Sequence, residues 1–327
     1  MAKEQMTMEE YLLSQLETPV KLKDGTVATS RAVAVRTRAG VWSRNRQTSQ
    51  STSRDIRKGA SLSFTQKEGT MNEINKIYNE DCLKTMERLT NIDAVITSPP
   101  YNTSRKGATD LSTHQCRYEQ YGDYLTDEEY IDWTIKIFEG FNKCLKKNGS
   151  VLYNVSYSSE NTTLMWNLIS DIQRRTNFCV ADCIVWKKQA ALPNNVSPNK
   201  LTRICEFVFV FCRKDEIGTF FMDKGVSSTR ESGQTMYNNI FNFIEAPNND
   251  ENCPIHKATY STLLCRKLML LYSKEGDTIY DPFMGTGTTA VACHMEKRNY
   301  IGSELSERYV AWAERRIRIE SMQQTLF

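Results

Sequence analysis

No two of the ten cysteines form a CxxC pair, and most sit among apolar neighbours. That excludes the common thiolate metal centres and leaves reduced, buried thiols as the expectation. Histidine is scarce: His114, His256 and His294 are the three in the chain, with no ligand spacing between them, so no metal site is expected. Long apolar runs are missing as well. No segment approaches the roughly 20 residues of a membrane span. The opening MAKEQMTMEEYLLSQLE is acidic and has no apolar stretch of the secretory kind, so the expected location is the cytoplasm. Net charge is slight, +3 with a pI near 8.2, which permits a nucleic-acid partner without arguing for one. No repeat recurs at any period. What remains is a chain of 327 residues, 40% of them hydrophobic, enough for one large α/β domain with an appended module.

Residues 1–70 differ in kind from the rest. After the acidic opening, Arg31, Arg36, Arg38, Arg44, Arg46, Arg54, Arg57 and Lys58 interleave with the QTSQSTS of 47–53, and from Arg31 to Lys58 acids are nearly absent. Such a composition buries little and repels itself, so a flexible basic arm is expected. Two uses stay open: an arm that tracks phosphate, or a start-site extension ahead of Met71. From Met71 the pattern alternates. Strands are expected at 77–79, 94–97, 151–155, 179–186 and 204–212, and helices at 81–89 and 161–175. Thr126 and Glu129 form a capping box, after which Tyr130, Trp133, Ile137, Phe138, Phe141 and Leu145 recur at helical spacing until Asn148-Gly149 is expected to end that helix. A polar stretch at 214–254 breaks the rhythm. Then come a helix at 259–272, a strand at 278–280, a glycine turn, a helix at 288–296, a strand at 300–302 and a terminal helix at 306–319, closing with a complete βαβ unit. The fold class implied is α/β, with a doubly wound, mostly parallel sheet.

Two motifs carry chemistry. Asp281-Pro282-Phe283-Met284-Gly285-Thr286-Gly287-Thr288-Thr289 lies between a strand and a helix, where glycines let backbone approach a ligand closely. Glu304 follows the next strand, where an acid accepts hydrogen bonds from ribose hydroxyls. A glycine turn alone is a weak sign; strand, turn, helix, strand and acid in that order point to an adenosine-containing cofactor. The second motif is Thr97-Ser98-Pro99-Pro100-Tyr101. Two prolines directly after a buried strand cannot continue a sheet, so they fix a rigid loop at the strand's carboxyl end, the edge where open α/β sheets bind ligands. Carbonyl oxygens without intrachain donors and the ring of Tyr101 are expected there, suited to a planar, amino-bearing base.

Together these motifs resemble those of the DNA amino-methyltransferases. TSPPY precedes DPFMGTGTT, which is similar to the circularly permuted β class, and the resemblance runs from about Ile77 to the C-terminus through NEDCL (79–83), CLKKNGSVLYNV (144–155), IVWKKQ (184–189), TRICEFVFVFCRK (202–214), HKATYSTLLCRKLMLLYS (256–273) and RNYIGSELSERYVAWAERRI (298–317). Tyr260-Ser261 departs from the aromatic-proline of many members, and residues 1–70 match nothing in the family. The resemblance implies a catalytic half at 71–213, a small inserted target-recognition region at 214–254 and a cofactor half at 255–327. It implies S-adenosylmethionine as cofactor, with Asp281, Phe283, Gly285, Gly287 and Thr288 along its methionine portion, Glu304 at the ribose, Asp81 and Cys82 near the adenine, and His256 to Leu263, Ser261 included, at the carboxylate end. Double-stranded DNA is the implied partner, and the resemblance admits a restriction endonuclease partner and a homodimer. Arg105, Lys106 and Arg117, in the loop after TSPPY, are candidates to close over DNA; Arg213, Lys214 and Lys224 are candidates for phosphates, and Arg230, Gln234, Asn238 and Asn239 for base edges.

The implied chemistry follows from the amino group, whose lone pair is delocalised into the ring until hydrogen-bond acceptors draw on its protons. Ser98 Oγ and the Pro99 carbonyl are the candidate acceptors, and Tyr101 is expected to stack on a base flipped out of the duplex. In the family a tetrad beginning with serine is commoner among enzymes of cytosine N4, one beginning with aspartate among those of adenine N6, so cytosine is favoured and adenine is the alternative. Methylation of RNA or of a protein amide, and a non-catalytic DNA-binding subunit of the same fold, are the competing readings.

Overall fold

The computed structural model describes residues 19–21, 27–29, 72–102, 125–158, 161–191, 193–195, 197–250 and 259–325. The chain divides into two units, Met1–Thr65 and Gln66–Phe327. In the first, β1 (Pro19–Lys21) and β2 (Val27–Thr29) pair antiparallel. The remainder of the expected arm lies outside the described residues.

The second unit holds β3 (Lys76–Tyr78), β4 (Ile92–Thr97), β5 (Leu145–Val155), β6 (Phe178–Lys188), β7 (Cys205–Arg213), β8 (Val226–Thr229), β9 (Thr235–Tyr237), β10 (Phe243–Ala246), β11 (Thr278–Asp281) and β12 (Asn299–Ser303). Eight of them build one sheet in the order β10-β6-β7-β5-β4-β11-β12-β3, while β8 and β9 form a separate hairpin. Only β7 runs against its neighbours, pairing antiparallel with both β5 and β6. All other adjacent pairs are parallel.

Side chains alternate across a strand, and here both faces are apolar because both are covered. Val151 and Tyr153 of β5 and Phe209 and Phe211 of β7 face a core shared with α1 (Cys82–Met86), α2 (Asp127–Cys144) and α3 (Leu164–Arg175). Leu152, Val208 and Val210 face the opposite core, shared with α4 (Thr262–Tyr272), α5 (Thr288–Met295) and α6 (Glu307–Thr325). The first core is aromatic. Phe138 meets Phe141, Tyr153, Phe178 and Phe211 edge-on at 5.0–5.5 Å between centroids. Burying each such ring stabilises the fold by roughly 2–3 kcal/mol.

Three sequence expectations are corrected. The capping box at Thr126 forms as expected, but its helix stops at Cys144, not at Asn148-Gly149. Leu145 is already extended and pairs with Ile92 of β4, and Asn148 turns through a left-handed φ of 62° inside an irregular stretch of β5. A Cβ on Gly149 would lie 2.8 Å from the Asp93 carbonyl, so the glycine serves close strand approach, not helix termination. Next, 214–254 is not a wholly separate insert: β10 joins the main sheet beside β6, and the Trp186 indole donates to the Ala246 carbonyl. Last, the helix expected from Thr259 begins at Thr262, capped by the wholly buried Ser261, whose Oγ accepts from the Leu264 amide.

Candidate active site

Because β3, β4, β5, β6, β11 and β12 share one direction, their carboxyl ends meet at one edge, joined there by the amino end of the reversed β7. TSPPY leaves β4 at this edge, the glycine loop leaves β11, Glu304 follows β12 and Asp81 follows β3. Chain order separates Thr97 from Asp281 by 184 positions, yet β4 and β11 are neighbours.

The proline loop is held from several sides. Pro99 and Pro100 are buried, and Ser98 and Tyr101 are half-buried. The Tyr130 hydroxyl donates to the Pro100 carbonyl at 2.6 Å, so that carbonyl has the intrachain donor that the sequence did not suggest. Beyond the loop, Asn102 takes a left-handed φ of 48° and its amide bridges the Leu125 carbonyl and amide at 2.7 and 3.1 Å. Tyr101 Oη lies 3.1 Å from Ser98 Oγ and donates to Glu206 Oε2 at 3.0 Å. The Asn154 amide nitrogen reaches Ser98 Oγ at 3.3 Å, Tyr101 Oη at 2.8 Å and Glu206 Oε2 at 3.0 Å. Lys188 pairs with the other oxygen of Glu206, its ammonium 5.1 Å from the centroid of the Trp186 ring. Asn154 near the end of β5, Glu206 at the start of β7 and Lys188 at the end of β6 were absent from the sequence-based site. The available signal was the asparagine within VLYNV, the glutamate within CEFVFVFC and the two lysines that end IVWKK.

Across β4 lies the glycine loop. Asp281, expected beside the cofactor, is wholly buried and turned into the protein. Its Oδ1 accepts from Thr97 Oγ1 at 2.7 Å and from the Phe283 amide at 3.0 Å, and its Oδ2 accepts from Thr289 Oγ1. Thr289 in turn meets the buried Tyr260 hydroxyl. Burial raises the Asp281 carboxyl from its ordinary 3.8 to about 6, against the lowering effect of these donors. Gly285 and Gly287 have φ of 53° and 86°, but for different ends. Around Gly285 a Cβ would approach nothing closer than 3.9 Å, leaving open space; a Cβ on Gly287 would strike Ala313 of α6 at 2.7 Å. Gly287 is therefore a packing glycine and the cap of α5. Glu304, its carboxyl raised by burial, accepts from the Gly285 and Ser306 amides at 2.9 Å each. The Thr286 hydroxyl is buried with no partner among the described residues.

These features fit an adenosine-bearing ligand: open space over a glycine, a carboxylate one hydrogen bond away with spare lone pairs for ribose hydroxyls, and an unpartnered hydroxyl in the same loop. Of the remaining candidates, Asp81 caps α1 through the Leu83 amide, and Cys82 is a buried thiol pushed up to about 12 by desolvation. Phe283 is half-buried, its ring 5.4 Å from that of Trp133. Thr288, also buried, meets the Arg316 guanidinium. His256, Arg105, Lys106 and Arg117 lie outside the described residues.

The candidates for DNA divide. Arg213 does not face solvent. Its guanidinium binds the carbonyls of Asn142, Leu145 and Lys146 and pairs with Glu216, satisfying the end of α2. Lys214 is held by the Thr176 carbonyl at 2.7 Å. Arg230 and Gln234 close the turn of the β8-β9 hairpin by side-chain and backbone bonds of 3.1 and 2.9 Å, and both are exposed. At the base of the hairpin Asn238 donates to the Lys224 carbonyl at 3.0 Å, and Asn239 is exposed.

Residues 92–315 match the family model of the N6 and N4 DNA methylases. The type II methyltransferase M.Cfr9I of Citrobacter freundii is 26% identical over 284 aligned residues, covering 75% of this chain and 88% of its own length. The type II methyltransferase M.HinfI of Haemophilus influenzae is 24% identical over 266 residues, covering 77% of this chain and 70% of its own. Among solved structures the PvuII DNA methyltransferase, a cytosine-N4-specific enzyme, shares the fold with a TM-score of 0.57 at 20% identity, over 73% of this chain and 85% of that one.

The Asp281 geometry has a measurable consequence. A carboxyl whose folded value is raised contributes stability that is fully present below about pH 4 and lost as pH rises through about 6. The stability difference between wild type and Asp281→Asn, measured by urea unfolding, is therefore expected to move against the wild type by up to about 3 kcal/mol between pH 4 and pH 7. A difference that stays constant across that range would show that burial does not perturb this carboxyl.

Proposed function

The chain belongs to the N6 and N4 DNA methylase family and is a DNA amino-methyltransferase; from that premise we propose that it methylates N4 of cytosine in double-stranded DNA, with Ser98 to Tyr101 as the catalytic loop. The observation that carries the choice of base is Ser98 itself, a neutral hydroxyl where an aspartate would favour adenine. We read the order of TSPPY before the glycine loop, on adjacent strands β4 and β11, as the circularly permuted arrangement.

S-adenosylmethionine supplies an activated methyl group on a sulfonium sulfur. Glu304 would hold its ribose, Gly285 would let its methionine portion lie close over the loop, and the partnerless Thr286 hydroxyl would take one of its polar groups. On the substrate side Ser98 Oγ and the Pro99 carbonyl accept the two amino hydrogens, concentrating the lone pair on nitrogen. No described residue donates to the Pro99 carbonyl, whereas the Pro100 carbonyl is taken by Tyr130 and serves to lock the loop. Tyr101, pinned at its hydroxyl, gives the flipped base a fixed ring to lie against.

Target reading falls to the β8-β9 hairpin, where Arg230 and Gln234 at the turn suit base edges, and the exposed Tyr237 at its end and Phe241 just beyond it, 60% and 74% accessible, suit stacking. The type II relatives support a companion restriction endonuclease.

Digestion of methylated duplex DNA to nucleosides, followed by mass spectrometry, is expected to yield N4-methylcytosine; N6-methyladenine alone would overturn the choice of base and leave the class standing. In the same assay Ser98→Ala should lower turnover by about ten- to a thousandfold while calorimetric affinity for the cofactor holds. A variant with wild-type turnover would remove Ser98 from the chemistry.

A further inference from the structure

A serine in the first position of the catalytic loop poses a problem that an aspartate does not. A carboxylate has acceptors only, so it always offers a lone pair to an amino hydrogen; a hydroxyl also carries a hydrogen, which faces the amino group unless something directs it elsewhere. Nor can a hydroxyl keep the proton that nitrogen must shed after methylation. The structure contains a group that answers both demands, on a strand that holds no part of either motif.

That group is Glu206. Its Oε2 receives the Tyr101 hydroxyl at 3.0 Å and the Asn154 amide nitrogen at 3.0 Å, and its Oε1 receives Lys188. An ionised carboxylate donates nothing, so each hydrogen-bond direction follows from it. Tyr101 has one hydrogen and spends it on Glu206. Its contact with Ser98 Oγ at 3.1 Å must then be a donation from Ser98. Asn154 has two amide hydrogens for three acceptors, Tyr101 Oη at 2.8 Å, Glu206 Oε2 at 3.0 Å and Ser98 Oγ at 3.3 Å, so Ser98 receives at most a shared one. At least one lone pair of Ser98 is left, and the residue is half-buried. The Asn154 orientation obeys the same constraint, because its nitrogen must face the carboxylate. Asn154 Oδ1 is left buried without a partner among the described residues, a cost of about 1–3 kcal/mol that a network built for stability alone would avoid.

We infer that Glu206, held by Lys188 and Asn154, points the hydroxyl hydrogens of Tyr101 and Ser98 away from the base, making Ser98 an acceptor for the amino group, and takes up the proton that the reaction releases. It is a positioning residue for Ser98 and the terminus of a relay through Tyr101. As the nitrogen–methyl bond forms, the donor's carbon–sulfur bond breaks with its electron pair left on sulfur. One amino proton passes to Ser98 Oγ, the Ser98 hydrogen to Tyr101 Oη, and the Tyr101 hydrogen to Glu206 Oε2. The base ends neutral and methylated, both hydroxyls are restored, and the carboxylate becomes a carboxylic acid.

The inference rests on the amino-methyltransferase reading, and its test separates the two. Wild type, Glu206→Gln, Glu206→Asp, Tyr101→Phe and the Tyr101→Phe/Glu206→Gln double variant are compared for labelled-methyl transfer to duplex DNA and for S-adenosylmethionine binding by calorimetry. With glutamine, the nitrogen left facing Tyr101 can donate, and the chain of hydrogens is free to reverse. Expected are a loss of about a hundredfold in kcat for Glu206→Gln, little change in KM or cofactor affinity, and partial recovery with Glu206→Asp. The double variant should lose no more than the worse single one, because both cut one relay. Wild-type kcat in Glu206→Gln, equal losses in Glu206→Asp and Glu206→Gln, or losses that multiply in the double variant would each overturn the inference while the functional reading stands. A wild-type protein that labels no amino group in DNA would overturn both. Should Glu206→Gln fail to bind cofactor, Tyr101→Phe decides alone: retained binding with lowered kcat supports the relay, and unchanged kcat overturns it.

Discussion

One buried carboxylate holds the two halves of the site together. Asp281 ends the strand that leads into the glycine loop, and it accepts hydrogen bonds from Thr97 on one side and Thr289 on the other. Thr97 is the last residue before Ser98, and Thr289 lies in the first turn of α5, directly after that loop. The same side chain therefore sets where the proline loop and the glycine loop sit relative to each other, and on the proposed function these would carry the methyl acceptor and the methyl donor. A wholly buried carboxyl is costly, and burial pushes Asp281 up against the lowering effect of the donors around it. A core built for stability alone would place an apolar residue here; the carboxylate instead ties both motifs at a fixed register.

From the carboxylate outward the site divides by face. Toward β12 the groups are backbone amides, a glycine without a side chain and the acid Glu304, all suited to a polar ligand lying along the loop. Toward β6 and β7 they are side chains of alternating donor and acceptor character, ending on an ion pair at Lys188 and Glu206. The first set can be described residue by residue. The second acts as a unit, since the direction of each hydrogen bond is decided by the carboxylate at its end.

What the sequence discloses and what it hides follow from this geometry. TSPPY and DPFMGTGTT are legible because each is a contiguous response to a local demand: a strand that must stop, a turn that needs left-handed backbone. That the two belong together was read from the family resemblance, but the adjacency of β4 and β11 was not, because 184 positions separate Thr97 from Asp281. Asn154, Lys188 and Glu206 were not, because they come from three strands whose neighbour relations depend on the reversed β7 lying between β5 and β6. No periodicity within one strand announces a pairing across three. The misreadings of Asn148-Gly149 and Arg213 share a cause: a glycine that marks a helix end elsewhere marks close strand approach here, and a basic side chain available to phosphate is consumed by carbonyls at the end of α2. The short β10 was hidden because its alternation runs for four residues inside a polar stretch.

The claim on which the account turns is that Asp281 couples the two motifs, and a double-mutant cycle measures it directly. S-adenosylmethionine affinity would be determined by calorimetry for wild type, Thr97→Val, Asp281→Asn and the double variant. Thr97 ends β4, before the proline loop, so its hydroxyl should matter to cofactor binding only through Asp281. The account predicts that Thr97→Val weakens binding in the wild-type background and changes nothing further once Asp281 is replaced, a coupling of about 0.5–3 kcal/mol. Independent, additive effects of the two substitutions would contradict it.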